Sequence, residues 1–158
     1  MSRIAYLIMD VDGTLTDGKI YMGNAGEFCK VFNVKDGYGI RDIIIPRNII
    51  PIIITGRESE IVTNRCKELG IKEVYQGIAH KIDKLRELKI DLSRTAYVGD
   101  DINDVSCMLE IKKNGGLVGC PFDAVNEVKE ITDFMSVHKG GDGAVRDFIE
   151  WMLNNSMY

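Results

Sequence analysis

Residues 4–14 read Ile-Ala-Tyr-Leu-Ile-Met-Asp-Val-Asp-Gly-Thr, an apolar run, Ile4–Met9, that ends on Asp10-Val11-Asp12-Gly13-Thr14. A brief run of aliphatic side chains suits a strand buried on both faces of a parallel sheet. Two carboxylates at i and i+2 just past the strand end, where the chain leaves its pleat, can both turn toward one crevice. There one can attack while the other handles protons. An Asx-type turn closing the strand is the bland alternative for such a pair taken alone.

The same pattern recurs along the chain. Ile49–Ile54, Thr95–Val98 and Gly116–Val118 are further short apolar runs that stop at turn residues. Between them, Glu58–Leu69 carries Ile61, Arg65, Cys66 and Leu69 at helical spacing before Gly70. Ala79–Leu88 places Ile82, Leu85 and Leu88 on one face, and Val105–Ile111 continues the rhythm. The alternation predicts right-handed βαβ units and an α/β fold: a doubly wound, mainly parallel sheet flanked by helices. One segment interrupts it. Lys19–Met22 and Glu27–Phe32 flank Gly23-Asn24-Ala25-Gly26, so residues 18–32 are expected to form a β-hairpin projecting from the first βα connection. His138–Gly143, with three glycines, stands just before a last helix. No repeat or linker divides the chain, and residues 1–158 are expected to form one domain.

Composition narrows the function. Lys plus Arg is 20 against 24 Asp plus Glu, a net charge of −4, which excludes a nucleic-acid binder relying on a strongly basic face. No apolar run approaches the roughly 20 residues of a membrane span, and Ile4–Met9 lacks the cleavage site of a signal peptide. Cys29, Cys66, Cys107 and Cys120 show no zinc spacing and read as reduced, mostly buried thiols of a cytoplasmic protein.

More chemistry gathers after the other strands. Gly99-Asp100-Asp101-Ile102-Asn103-Asp104 packs three carboxylates behind the Thr95–Val98 run. Like charges that close raise one another's pKa, and a hard divalent cation with oxygen ligands, Mg²⁺ by default, resolves the conflict. Thr55-Gly56-Arg57 closes Ile49–Ile54 and could hold a phosphate oxygen, although alone it reads as a plain loop. Lys81 lies near the start of the predicted Ala79–Leu88 helix, where a lone lysine is usually a solvated charge. His80 and His138 receive no role.

Taken in order, DVDGTLTDG, a strand ending in Thr55, then Lys81, then GDDIND resemble the four motifs of the haloacid dehalogenase superfamily. FNVKDGYGIRD (Phe32–Asp42), IITGR (Ile53–Arg57), YQG (Tyr75–Gly77) and GGDGAVRD (Gly140–Asp147) look like its small capless subfamily that contains the KDO 8-phosphate phosphatases. The resemblance implies a Rossmann-like core with the hairpin in place of a cap domain. It also implies Mg²⁺-dependent hydrolysis of 3-deoxy-D-manno-octulosonate (KDO) 8-phosphate, a step toward lipopolysaccharide precursors. Asp10 would be the nucleophile that forms an aspartyl-phosphate, and Asp12 the acid and then the base. Mg²⁺ would sit on the Asp10 carboxylate, the Asp12 carbonyl and Asp100, with Asp101, Asn103 and Asp104 supporting from behind.

In the same way, Thr55 and Lys81 would hold phosphoryl oxygens. Asn33, Val34, Lys35, Asp36, Gly37, Arg41, Arg57 and Arg65 would line the sugar-acid pocket, where Arg suits a carboxylate. Arg65 could instead be an exposed helix residue paired with its neighbours. Relatives form homotetramers, so the hairpin is expected to cover a neighbouring subunit's site. The HKGGDG segment, flexible through its glycines, is a second candidate lid, and the C-terminal segment is expected to contribute to neighbouring sites. Related nonulosonate 9-phosphate phosphatases, acting on sialic acid or KDN phosphates, tend to carry Glu where Arg57 stands and Lys where Glu68 stands. Arg57 therefore favours the eight-carbon substrate. A non-catalytic oligomerisation module, like the domains fused to sugar cytidylyltransferases, is a third reading, which the intact Asp10, Asp12, Thr55, Lys81 and Asp100 oppose.

Overall fold

The computed structural model describes residues 4–156; the outer ends of the expected 1–158 domain lie outside the described residues. Its centre is a six-stranded sheet, all parallel. The strands are β1 (Tyr6–Met9), β4 (Ile50–Ile54), β5 (Glu73–Tyr75), β6 (Thr95–Val98), β7 (Leu117–Cys120) and β8 (Phe134–Met135), in spatial order β5-β4-β1-β6-β7-β8. From β1 the chain moves out through β4 to β5, then returns to the opposite side of β1 for β6, β7 and β8. That reversal beside β1 is the switch point at which an open α/β sheet opens a crevice beyond its strand ends.

Side-chain alternation along these strands sorts the core into two layers. Leu7 and Met9 of β1, Ile53 of β4 and Ala96 and Val98 of β6 pack on one face. Ile8, Ile52, Ile54, Tyr97, Val118 and Cys120 pack on the other. Over the first face lie α1 (Val34–Tyr38), α2 (Glu60–Leu69) and α6 (Ala144–Asn155), contributing Val62, Cys66, Leu69, Phe148 and Met152. Over the second lie α3 (Lys81–Leu88), α4 (Ile102–Lys113) and the short α5 (Asn126–Lys129), contributing Leu85, Met108, Ile111 and Val128. Each fully buried Val, Leu, Ile, Phe or Met among them is worth about 1.5–3 kcal/mol of transfer free energy. The doubly wound reading holds.

Several boundaries differ from expectation. Helix α2 begins at Glu60 and α3 at Lys81, each two residues later than the periodicity suggests. Helix α4 begins earlier, at Ile102, because Asp101 accepts from the Ile102 N–H at 2.7 Å and forms a capping box with Asp104. The short strands β5 and β8 escape a pattern search because they span three and two residues. The FNVKDGYGIRD stretch, given no element from sequence, is helical: α1 widens into a π turn (Gly39–Ile44) and tightens into a 3₁₀ turn (Ile45–Arg47). The hairpin is present as β2 (Tyr21–Gly23) and β3 (Gly26–Cys29), with Thr16 bridged to Phe32 at its base.

Candidate active site

Parallel pairing sets Met9 opposite both Ile53 and Val98. The residues that follow these strands, Asp10, Thr55 and Gly99-Asp100, therefore emerge side by side at one edge of the sheet. Asp10 is 5% exposed. Its Oδ1 accepts from the Val11 N–H at 2.8 Å and lies 2.9 Å from the Lys81 ammonium. Lys81, the first residue of α3 and 2% exposed, also donates to Asp104 Oδ1 at 2.7 Å. It is no surface charge.

Asp104 is completely enclosed and fully used. Besides Lys81, its Oδ1 accepts the Tyr97 hydroxyl at 2.6 Å, and its Oδ2 accepts the Asp100 and Asp101 N–H groups at 3.0 and 3.2 Å. Asp100 accepts the Thr14 hydroxyl at 2.7 Å. Gly13, with φ of +87°, makes that approach possible, because a Cβ there would stand 2.0 Å from Asp100 Oδ2.

The carboxylates of Asp10, Asp100 and Asp104 each offer an oxygen within 4.8 Å of the others. Burial first, and the Asp104 charge second, raise the Asp10 pKa against the pull of Lys81. Burial and then Asp10 raise that of Asp100. With the Asp104 oxygens already committed to protein donors, Asp10 and Asp100 are an under-neutralised, oxygen-only pair. That is the donor chemistry a hard divalent cation takes, so the residues fit Mg²⁺.

Asp10, Asp12, Thr55, Arg57, Asp101 and Asn103 line a cleft of about 150 Å³. No protein-family model matches the chain. The chain is 44% identical over 155 residues to the 3-deoxy-D-manno-octulosonate 8-phosphate phosphatase KdsC of Salmonella typhi, covering 96% of this chain and 80% of that one. The chain belongs to the KdsC phosphatase family. The Moraxella catarrhalis phosphatase of the same name, solved with magnesium, phosphate and KDO, superposes with a TM-score of 0.87 at 36% identity over 97% of this chain and 87% of that one. A Legionella pneumophila protein described as a putative HAD superfamily hydrolase of subfamily III A gives 0.87 at 34% identity, over 97% and 84%.

This KdsC-family chain does not bring every expected residue to the cleft. Of the residues expected to grip the sugar acid, Arg57 lines it. Asn33, Asp36, Gly37 and Arg65 border a separate void of about 10 Å³ between α1 and α2. The expectation for Asp36 is corrected: it is 1% exposed, and its Oδ1 accepts the Arg146 N–H at 2.9 Å at the start of α6. It serves that helix end, where Gly143 has no capping side chain. Burial nevertheless pushes its pKa up to about 6, against the backbone N–H groups of Arg146, Gly143 and Val145.

The Arg65 guanidinium stacks on Phe32 at 5.6 Å and pairs with Glu68 at 2.7 Å, so within one chain it follows the helix-pair alternative. Arg41 is paired with Asp42 at the surface, Val34 is exposed, and Lys35 borders a depression with His138 and Arg146.

The glycines of HKGGDG also do other work than a hinge. Gly141 donates to the Thr14 carbonyl at 3.1 Å, and a Cβ on Gly140 would lie 1.9 Å from the Gly13 carbonyl oxygen. In this chain the segment is wedged against the loop that carries Asp12, and the flexible-lid expectation gives way to close backbone packing. Sequence reasoning missed Tyr97, Thr14, Glu27 and Lys30. Lys30 Nζ is 2.5 Å from Asp12 Oδ1 and 2.9 Å from Glu27 Oε1. Burial opposes its charge, but Asp12 and Glu27 outweigh that and raise its pKa. Nothing in the sequence marks a lone lysine in a hairpin as buried.

Proposed function

We propose that the chain hydrolyses KDO 8-phosphate to KDO and phosphate, in one domain and in the cytoplasm. The carrying observation is a buried carboxylate, Asp10, oriented by Val11 and Lys81 and opening onto a cleft that also holds Asp12, Thr55 and Arg57. The Moraxella relative's magnesium, phosphate and KDO support the substrate and the ion. Asp10 and Asp100, with the Asp12 carbonyl, would hold Mg²⁺, which when bound supplies positive charge for the phosphate dianion.

An oxygen of Asp10 attacks phosphorus, and the bond from phosphorus to the sugar oxygen breaks. Asp12 gives its proton to the departing alkoxide, leaving an aspartyl-phosphate on Asp10. Water then attacks the same phosphorus, Asp12 takes its proton, and the Asp10 oxygen departs with its electron pair. Thr55 and Lys81 donate to phosphoryl oxygens as charge spreads over them. Arg57, half-exposed at the cleft rim, faces the sugar carboxylate.

Four such chains assemble into a homotetramer in this reading. Ile20, Met22, Phe28 and Val31 of the hairpin expose 42–66% of their surface, more apolar area than an isolated two-stranded ribbon leaves in water without a partner. Val34, Lys35 and Arg41 remain open to a neighbouring copy. Among the described residues no helix is long and apolar enough to cross a membrane, and the four cysteines are free thiols. Phosphate release from KDO 8-phosphate and from a nine-carbon ulosonate 9-phosphate, each with Mg²⁺ and with EDTA, tests the reading. Fast, EDTA-sensitive release from the first substrate supports it; preference for the second moves the assignment to the nonulosonate branch; no release from either sinks it.

A further inference from the structure

We propose that Lys30, at the base of the hairpin, is a positioning residue for the proton donor of the reaction. It holds one oxygen of Asp12 so that the other is presented to the leaving group. The inference rests on the assignment of Asp12 as the acid made above.

The Lys30 side chain is 1% exposed, and its ammonium spans Asp12 Oδ1 at 2.5 Å and Glu27 Oε1 at 2.9 Å. Lysine is almost never this buried unless it is paired, and here one of its partners is a cleft-lining carboxylate. Asp12 sits on a loop beyond β1, and its side chain stays 18% exposed. Its other oxygen, Oδ2, lies toward the cleft rim, where Arg57 Nε stands 3.9 Å away. The two oxygens thus differ in kind: Oδ1 is fixed in a buried charge-assisted hydrogen bond, whereas Oδ2 has only the longer, half-exposed ion pair to Arg57 at the cleft.

A carboxylic acid that must meet an alkoxide oxygen gains from such a clamp, because proton transfer needs the heavy atoms within hydrogen-bond reach. Misplacement by about 1 Å can cost 10²-fold. The bridge also ties β3, through Glu27 and Lys30, to the loop of its own chain that carries Asp12. The hairpin therefore serves its own subunit's chemistry whatever it does for a neighbour.

Three roles for Lys30 predict different kinetics. A clamp on the acid matters where the leaving group needs a proton, as a sugar alkoxide does. It matters little for p-nitrophenolate, which leaves without one. A role in holding the phosphate dianion, or in merely tethering the hairpin, acts on both substrates alike. The quantity to compare is kcat/KM, which reports events up to loss of the first leaving group.

For Lys30→Met at saturating Mg²⁺, kcat/KM for KDO 8-phosphate is expected to fall roughly 10- to 100-fold. That for p-nitrophenyl phosphate should change by less than about 3-fold, in line with a general-acid effect confined to poor leaving groups. Lys30→Arg, which keeps a charged donor for Asp12, should recover most of the loss; if Lys30→Met fails to fold by circular dichroism, Lys30→Gln, neutral and one bond shorter, carries the comparison and should show the same substrate-selective loss. Equal losses on both substrates, or no loss on either, overturn the positioning role. Asp12→Asn run in parallel separates the two claims: if it too is indifferent to the leaving group, the acid assignment itself has failed rather than the role of Lys30.

Discussion

Replacing Asp10 with Asn should move stability and activity in opposite directions. In the metal-free protein, burial and the Asp104 charge raise Asp10 from 3.8 to about 6 despite Lys81. At 1.36 kcal/mol per pKa unit, keeping this side chain ionised above pH 6 costs about 3 kcal/mol. The amide removes that cost but forfeits the ion pair to Lys81, which retains Asp104 at 2.7 Å. Because the raised pKa is already net of the attraction to Lys81, the neutral amide is expected to gain roughly 1–3 kcal/mol above pH 6. At about 2–4 °C per kcal/mol for a chain of this size, Tm in EDTA should rise by a few to about 10 °C. Mg²⁺ should then raise the wild-type Tm more than that of the variant, since one of its donors is gone. Turnover of KDO 8-phosphate should vanish, because the amide oxygen is a far weaker nucleophile. Thermal melts by circular dichroism and a phosphate-release assay read both halves. A variant less stable than wild type in EDTA, or one that still hydrolyses substrate, would refute the reasoning.

Other expectations follow from the same geometry. Asp36 keeps its proton longer folded than unfolded, so its contribution to stability is present near pH 4 and is lost as pH climbs to about 6. Asp36→Asn should abolish that fall, worth on the order of 3 kcal/mol, and urea denaturation at pH 4 and pH 7 showing a pH-independent gap between the two proteins would contradict it. Arg57→Ala should lower kcat/KM for KDO 8-phosphate roughly 10- to 100-fold, the loss of one charge-assisted contact, while sparing p-nitrophenyl phosphate; equal losses would give Arg57 to the phosphate instead. Sedimentation velocity should find a tetramer at working concentration, and an active monomer would remove the hairpin's proposed role between subunits.

Much of this could be read from the chain because strand ends carry both fold and chemistry. Asp10, Thr55 and Asp100 are each set by where an apolar run stops, and parallel pairing then brings the three together without further instruction. Lys81 needed the fold: its sequence neighbours give no sign that the first residue of α3 buries its ammonium between two aspartates. Lys30 was illegible for a related reason, since it matters through Asp12, 18 positions earlier, whereas Tyr97 escaped because nothing marks a tyrosine in an apolar strand as the donor to an aspartate seven residues on. Asp36 misled because its motif neighbours suggested a ligand pocket. The helical turn of α1 instead aims it at the α6 N-terminus, a contact spanning 110 positions. Glycine was ambiguous throughout: in HKGGDG it marks backbone approach, which sequence cannot distinguish from flexibility.

The central claim is that Asp10 takes the phosphoryl group while Asp12 manages protons, and pre-steady-state kinetics of Asp12→Asn with p-nitrophenyl phosphate test it most directly. This ester needs no acid to leave, whereas hydrolysis of the aspartyl-phosphate loses its base. A burst of p-nitrophenolate stoichiometric with enzyme is therefore predicted, followed by slow turnover. Acid quenching should place the phosphate on the peptide that contains Asp10. No burst alongside unimpaired steady hydrolysis, or phosphate recovered on any other residue, would contradict it.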